Sequence, residues 1–174
     1  MKPNGNHEYI PADACFIIPT LNINWCDLIL ASDGLFFNTG INDFDKTFWE
    51  NCSNNKLSIQ HCGSCDQPRF PPRHMCPHCQ STDHKWKIVN GSGQLWSYVV
   101  PRPPLLPYFE KQSPYVVGLV LLDGYSNIRI IGRIFTDYKN NTVDIEKISI
   151  DAKLSVGFNK INQDITIPFW FTDS

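Results

Sequence analysis

The chain has 174 residues, of which 42% are hydrophobic and 13% aromatic, which excludes a disordered protein. This length allows one ordinary domain, or a small domain with a metal module. The 15 basic and 17 acidic residues leave a net charge of −2, without the extensive basic face that duplex-binding proteins carry. No apolar run approaches the roughly 20 residues of a membrane helix, and no secretory signal pattern begins the chain, so we expect a cytoplasmic protein.

An apolar arm is predicted for residues 1–43. Its polar first eight residues precede a stretch at 16–37 that is rich in isoleucine, leucine and phenylalanine and too apolar for a solvated linker. We expect the arm to bury this surface, either against its own chain or against a partner subunit. Cys15, Cys26 and Cys52 lack the spacing of metal ligands and are predicted to be small buried hydrophobic residues.

Residues 44–60 are predicted to form a short amphipathic helix and a lead-in strand. Asp43 is the predicted N-cap, and Asn54 with Asn55 mark the end, because Asn tolerates the left-handed conformation that closes many helices. Residues 56–60 alternate in polarity, which predicts a strand with one apolar side. The helical face consists of residues spaced by three and four positions, namely Phe44, Thr47, Phe48 and Cys52.

Residues 61–84 contain two Cys-x-x-Cys pairs separated by ten residues, and they predict a zinc ribbon. The four cysteines are Cys62, Cys65, Cys76 and Cys79. Turn-forming residues within the pairs let the backbone curl so that amide groups point at the sulfurs. Four thiolates close a tetrahedron around one ion, as a structural zinc site requires and a catalytic site with an open position avoids. Iron in a rubredoxin-like site is the alternative, since the same sulfur cage accepts it.

Residues 85–174 are predicted to form a small Greek-key barrel. Short apolar or alternating runs predict strands at 85–89, 94–100, 115–122, 128–135, 154–158 and 165–171. An OB-fold matches this size best, and an SH3-like barrel is the alternative. The run at 115–122 lacks polar alternation, which predicts a central strand covered on both faces. The proline-rich loop Pro101–Pro114 is stiff and apolar, which suits either contact with a ligand tail or partner, or a cap over the barrel mouth.

Three stretches carry a specific resemblance to a known family. They read FWENCSNNKLSIQHCGSCDQPRFPPRHMCPHCQSTDHKW, GSGQLWSYVVPRPP and SPYVVGLVLLDG. Over roughly Phe44 to Phe171 the chain resembles a family of acyl-CoA-associated proteins that was first catalogued as a domain of unknown function. The chain departs from the family pattern in its long apolar arm and in DAKLSV (151–156), which lacks the glycine usual before the penultimate strand.

This resemblance implies a mainly β fold with an N-terminal helical segment, a rubredoxin-like zinc ribbon and a C-terminal OB-fold. It also implies a non-catalytic accessory subunit that binds acyl-CoA. Members of the family assemble with thiolase-like, acyltransferase or hydratase subunits in lipid, isoprenoid or polyketide metabolism, and the catalytic residues lie in the partner. We therefore expect one structural zinc per chain, acyl-CoA as a ligand and a hetero-oligomer.

Candidate CoA-binding residues lie in the insert between the cysteine pairs and in the proline-rich loop. Arg69 and Arg73 offer guanidinium groups to phosphate oxygens, and Arg102 adds a third cation. Phe70 offers an apolar face to the adenine or the pantetheine. Tyr108 and Phe109, in the loop, are expected to line the route of the acyl chain. The alternative for the arginines is a solvated ribbon surface.

Nucleic acid binding and catalysis are the alternatives to the role of an accessory subunit. An OB-fold can bind single-stranded nucleic acid, with Trp96, Tyr98 and Tyr115 as stacking platforms. Residues 88–174 carry 8 basic and 8 acidic side chains, however, so we expect no nucleic acid partner and expect these aromatics to pack in the barrel or on a neighbour. Four of the five histidines lie on the ribbon and are predicted to be exposed polar groups or local amide acceptors. No nucleophile with a base can be assigned, so no catalytic residue is expected.

Overall fold

The computed structural model describes residues 17–18, 23–24, 41, 43–105, 107–137, 139–140, 142–161 and 165–172. The chain divides into two compact units, residues 1–40 and 41–174. The described part of the first unit is an antiparallel pair of short strands, β1 (Ile17–Ile18) and β2 (Ile23–Asn24). The structure does not describe the side chains for which burial was predicted in the arm, including those of Cys15 and Cys26.

Helix α1 spans Lys46–Ser53 and begins later than predicted. Asp45, not Asp43, is the N-cap, and it takes a helical conformation without a capping hydrogen bond from its side chain. Its carbonyl accepts from the next turn, so the helix starts from the backbone rather than from an aspartate cap. The predicted end is confirmed, because Asn54 is the C-cap and Asn55 has the left-handed φ of 56°. No helix in the described part of the chain is long and apolar enough to cross a membrane.

A three-stranded antiparallel sheet forms the ribbon, in the order β4–β3–β5. The strands are β3 (Leu57–Cys62), β4 (Pro68–Arg69) and β5 (His84–Val89). All six β3 side chains are buried, so both sides of this strand are covered and not only the apolar side that was predicted. Asn51 of α1 donates to Ser58 Oγ at 3.0 Å, which satisfies one of the polar groups in this buried strand. Residues 85–89, assigned to the barrel from sequence, pair with β3 instead.

The rest of the second unit is a closed five-stranded barrel, and the predicted OB-fold is confirmed. Its strands are β6 (Ser92–Val99), β7 (Val116–Leu122), β8 (Arg129–Phe135), β9 (Lys153–Lys160) and β10 (Thr166–Thr172). They close in the order β10–β8–β7–β6–β9, with only β8 and β10 running parallel. The core is made of inward side chains from all five strands, including Leu95, Val120, Ile130, Ile134, Leu154 and Trp170. A four-residue helix, α2 (Pro107–Glu110), lies in the loop between β6 and β7.

Strand β7 was predicted to be a central strand covered on both faces, but every strand of this closed barrel has two neighbours and only the inner face of β7 is fully covered. Its side chains alternate, with Val116, Val120 and Leu122 buried and the intervening ones half-buried. Those half-buried positions are Val117, Leu119 and Leu121, all apolar and all on the outward side. The missing polar alternation thus reflects an apolar outer surface of the barrel.

Candidate metal centre and ligand-binding residues

The four predicted cysteines come together in one cluster. All four sulfur atoms lie within 4.8 Å of one another. The Sγ atoms of Cys62 and Cys79 are 3.5 Å apart, and those of Cys65 and Cys76 are 3.6 Å apart. A zinc ion with four thiolates at about 2.3 Å requires sulfur–sulfur edges of roughly 3.8 Å. The cluster therefore has the size of a tetrahedral thiolate site, which fits the zinc ribbon.

The backbone of the two knuckles prepares these sulfurs for a cation. Amides of Cys65 and Ser64 donate to Cys62 and lower the pKa of its thiol to about 6. Amides of Cys79 and His78 likewise lower the pKa of Cys76. At Cys65 the Gln67 amide favours the thiolate, but burial and the neighbouring sulfurs outweigh it and raise the pKa to about 12. Four crowded thiolates repel one another, so the complete set needs a metal ion to balance its charge.

The cluster offers four sulfur ligands, which is the ligand set typical of structural zinc sites. Cys62 and Cys76 are fully buried, whereas Cys65 and Cys79 are exposed. Cys52, in α1, is buried outside the cluster, as predicted, and burial raises the pKa of its thiol to about 12.

Side chains next to the metal cluster tie the ribbon together. Asp66 accepts from both Lys85 and Lys87 at 2.9 Å, and the two lysines hold its pKa below the usual range. His61 is buried, which corrects its prediction as an exposed polar group or amide acceptor. Its Nδ1 lies 3.0 Å from the Asp66 carbonyl and its Nε2 lies 3.2 Å from the Tyr125 hydroxyl. The other three ribbon histidines, His74, His78 and His84, are exposed as predicted.

The insert between the knuckles places its two arginines differently. Arg73 is exposed, whereas Arg69 lies in β4 with only 5% of its surface exposed. The expected alternative of a solvated surface is therefore wrong for Arg69. Phe70 is half-buried, and its ring lies 5.7 Å from that of Phe48 in α1. Arg73 is therefore accessible to a phosphate group from solvent, whereas a phosphate group would have to enter the ribbon to reach Arg69.

The proline-rich loop holds the other candidates. Arg102 is exposed at its start. Phe109 is half-buried, with its ring 6.0 Å from that of Tyr115. The side chain of Tyr108 lies outside the described residues. The loop therefore displays a free cation and packs at least one aromatic ring back onto the barrel.

The outer surface of β6, β7 and β8 carries residues that sequence reasoning did not identify as a group. This barrel face consists of Trp96, Val99, Leu119, Ile131 and Arg129. Trp96 is 51% exposed and Ile131 is 65% exposed. The Arg129 guanidinium lies 4.4 Å from the centre of the Trp96 ring, within the range of a cation–π contact. The sequence carries one signal for this face. Positions 129, 131 and 133 lie on the same side of β8, and each of them is apolar or cationic.

The three aromatics proposed as stacking platforms also differ in placement. Trp96 and Tyr98 are exposed, so neither packs inside the barrel, and their expected packing on a neighbour stays a prediction. Tyr115 is buried, and Arg133 lies 5.1 Å from the centre of its ring. Only two of the three aromatics are therefore available to a ligand or a partner.

Family models match both halves of the described second unit. Residues 49–85 match the rubredoxin-like zinc ribbon domain of ChsH2, and residues 86–159 match the C-terminal OB-fold domain of ChsH2. A protein of Methanocaldococcus jannaschii described as a DUF35 domain-containing scaffold protein is 31% identical over 108 residues, 59% of this chain and 67% of the relative.

A second relative is larger than this chain. A protein of Thermomonospora curvata described as a probable enoyl-CoA hydratase alpha subunit is 35% identical over 127 residues, which make up 71% of this chain. The matched residues span only 36% of that relative's length.

Two solved structures resemble the chain. A structure described as the Ltp2–ChsH2(DUF35) aldolase has a TM-score of 0.66 and 30% identity, covering 76% of this chain and 97% of that chain. A DUF35 protein of unknown function from Sulfolobus solfataricus has a TM-score of 0.50 and 12% identity, and covers 76% of this chain and 87% of its own. The second likeness concerns the fold alone.

Proposed function

The chain belongs to the DUF35 family of ChsH2-type zinc-ribbon and OB-fold proteins, and from that premise we propose that it is a non-catalytic accessory subunit of an acyl-CoA-processing enzyme. One observation carries the proposal: both ChsH2 domains are present, and the similar ChsH2 chain is named as a component of an aldolase together with Ltp2. Relatives described as a scaffold protein and as a hydratase subunit support the same role.

The partner in this proposal is a thiolase-like, acyltransferase or hydratase enzyme, and it docks on the barrel face. Val99 of β6 pairs with Val117 of β7, and Leu119 of β7 pairs with Ile131 of β8, so apolar side chains extend across three strands. Antiparallel sheets normally turn polar side chains to water, so an apolar outer face favours protein contact. The exposed Trp96 and the half-buried Arg129 on this face belong to the residue types that dominate binding energy at interfaces.

Acyl-CoA is the proposed ligand, held between this chain and the partner. Arg73 and Arg102 are exposed and available to the CoA phosphates. The half-buried rings of Phe70 and Phe109, with Tyr108, are proposed to line the path of the pantetheine and acyl chain. Arg69 contributes in this scheme only if a phosphate enters the ribbon.

We assign catalysis to the partner because the described thiols are poorly suited to act as nucleophiles. Cys52 is buried with a pKa of about 12, and the other four described cysteines form the metal cluster. Both ring nitrogens of the buried His61 are engaged in hydrogen bonds. None of the five described cysteines forms a disulfide, and we propose a cytoplasmic location because a reducing compartment keeps cysteines unpaired.

The test combines recovery from cells with binding to the purified protein. A tagged chain is expected to co-purify with a CoA-dependent enzyme whose rate depends on the chain, and acyl-CoA is expected to bind by calorimetry. I131E should lose the enzyme, because it places a charge in the barrel face. The matched control is I150E, since Ile150 is 51% exposed outside β6–β8.

Binding of CoA has its own variants and its own decisive outcomes. R73A combined with R102A should weaken acyl-CoA binding, whereas K160A, an exposed lysine of β9, should not. Absence of both a CoA-dependent enzyme and acyl-CoA binding would refute the proposal. Turnover by the isolated chain would refute the non-catalytic role.

A further inference from the structure

We infer that the ribbon contains a buried oxyanion-binding site formed by Arg69 and Gln60. Arg69 is 5% exposed and Gln60 is fully buried. All three guanidinium nitrogens of Arg69 and the amide nitrogen of Gln60 are buried without a hydrogen-bond partner. An arginine side chain carries five N–H donors and the Gln amide carries two, so this part of the ribbon is rich in donors and lacks acceptors.

The two side chains are neighbours in the sheet. Gln60 of β3 lies directly opposite Arg69 of β4, and opposite residues of an antiparallel pair place their side chains on the same face. The Arg73 amide donates to Gln60 Oε1 at 2.9 Å. This bond fixes the orientation of the Gln60 amide, because its oxygen must accept from Arg73 and its NH₂ group is left as the donor.

No described charge or ring compensates the Arg69 guanidinium. Asp66, the acidic residue in the ribbon's ion pairs, is engaged by Lys85 and Lys87. The described cation–π contacts involve Arg129 and Arg133 only. Arginine stays protonated when buried, and an isolated buried charge is strongly unfavourable. The donors of Arg69 and Gln60 therefore call for an acceptor that carries negative charge.

The geometry of the donors defines the class of ligand. A guanidinium fork matches two oxygens of a phosphate group or a carboxylate, and the Gln60 amide can donate to a further oxygen. A free phosphate ion, a small carboxylate or a phosphate group of CoA would satisfy these donors. The site does not depend on the proposed function, because a free ion is sufficient to fill it.

Equilibrium unfolding tests the site whatever the route by which the ion enters. A ligand that binds only the folded state stabilises it in proportion to the logarithm of its concentration. The probe is inorganic phosphate, compared with chloride at matched ionic strength. We expect Tm to rise by roughly 3–6 °C for each tenfold increase in phosphate above its dissociation constant.

Three variants separate the site from general salt effects. R69M removes the guanidinium and should lose the response to phosphate. K160M is the control, because Lys160 is an exposed cation of β9 and all four cysteines remain, so it should keep the response. Q60E places a carboxylate opposite Arg69, so it should be more stable than the wild type in chloride and insensitive to phosphate.

Parallel titrations with acetate and CoA identify the source of the oxyanion. A larger response to CoA than to phosphate, lost in R69M, assigns the site to a CoA phosphate, whereas a response to phosphate or acetate alone assigns it to a free ion or a carboxylate. Equal unfolding curves in phosphate, acetate, CoA and chloride would overturn the inference. So would equal responses of R69M and K160M.

Discussion

His61 Nε2 and the Tyr125 hydroxyl lie 3.2 Å apart, and this contact joins the ribbon to the barrel. His61 lies in β3, and Tyr125 lies in the turn between β7 and β8. Because a carbonyl oxygen can only accept, Nδ1 of His61 donates to the Asp66 carbonyl, and Nε2 is left to bond with the Tyr125 hydroxyl. Both ring nitrogens of His61 are therefore partnered, one by the ribbon and one by the barrel.

The first prediction is that Y125F destabilises the protein. The change leaves the buried His61 Nε2 without its hydrogen-bond partner, so we expect the free energy of unfolding to fall by about 1–3 kcal/mol. Urea unfolding of the variant and the wild type measures this difference in free energy. Y98F is the matched control, because Tyr98 is 37% exposed on the barrel and should change stability little. Equal losses in the two variants would contradict a specific role for the bond to His61.

The second prediction concerns the metal. Elemental analysis should find one zinc per chain, and C62S or C76S should lose it and destabilise the ribbon, since metal binding contributes to folding. C52A is the control, because Cys52 lies outside the sulfur cluster and the variant should keep its zinc. Visible iron–thiolate absorption would instead favour an electron carrier, and a folded metal-free protein would contradict the structural role.

Local sequence patterns predicted the features that depend on spacing. The cysteine spacing alone identified the cluster, because two knuckles and a tetrahedral ion impose a strict geometry. The strands of the barrel were found because apolar alternation and turn residues are local signals. The first helical residue was placed too early, because Asp43 and Asp45 are equally plausible caps in sequence and only the backbone hydrogen bonds distinguish them.

Pairing between distant residues could not be read from the sequence. Nothing in residues 85–89 distinguishes a ribbon strand from a barrel strand, and the register with β3 decides it. The burial of Arg69 follows from its pairing with Gln60 in a buried strand, whereas an arginine between prolines suggests a surface loop. The barrel face depends on three strands lying side by side, so its residues are far apart in sequence.

The third prediction is that Cys52 resists alkylation in the folded protein. Its thiol is buried with a pKa of about 12, so at pH 8 only about one molecule in ten thousand carries the reactive thiolate. Iodoacetamide labelling followed by mass spectrometry should leave the Cys52 peptide unmodified in native protein. The same peptide should be labelled in urea. Rapid native labelling would show that α1 opens readily or that the thiol is accessible.

The last prediction is that oligonucleotides do not bind in a salt-sensitive manner. Trp96 and Tyr98 are exposed, as stacking on the bases of a single strand requires, and the Arg129 guanidinium lies over the Trp96 ring. The surrounding charge does not extend this contact into a cationic groove, since residues 88–174 carry 8 basic and 8 acidic side chains. Fluorescence anisotropy with labelled single strands should therefore remain flat from low to physiological salt. A measurable affinity at low salt that falls steeply with added salt, and that W96A abolishes, would favour a nucleic-acid-binding role over the accessory subunit.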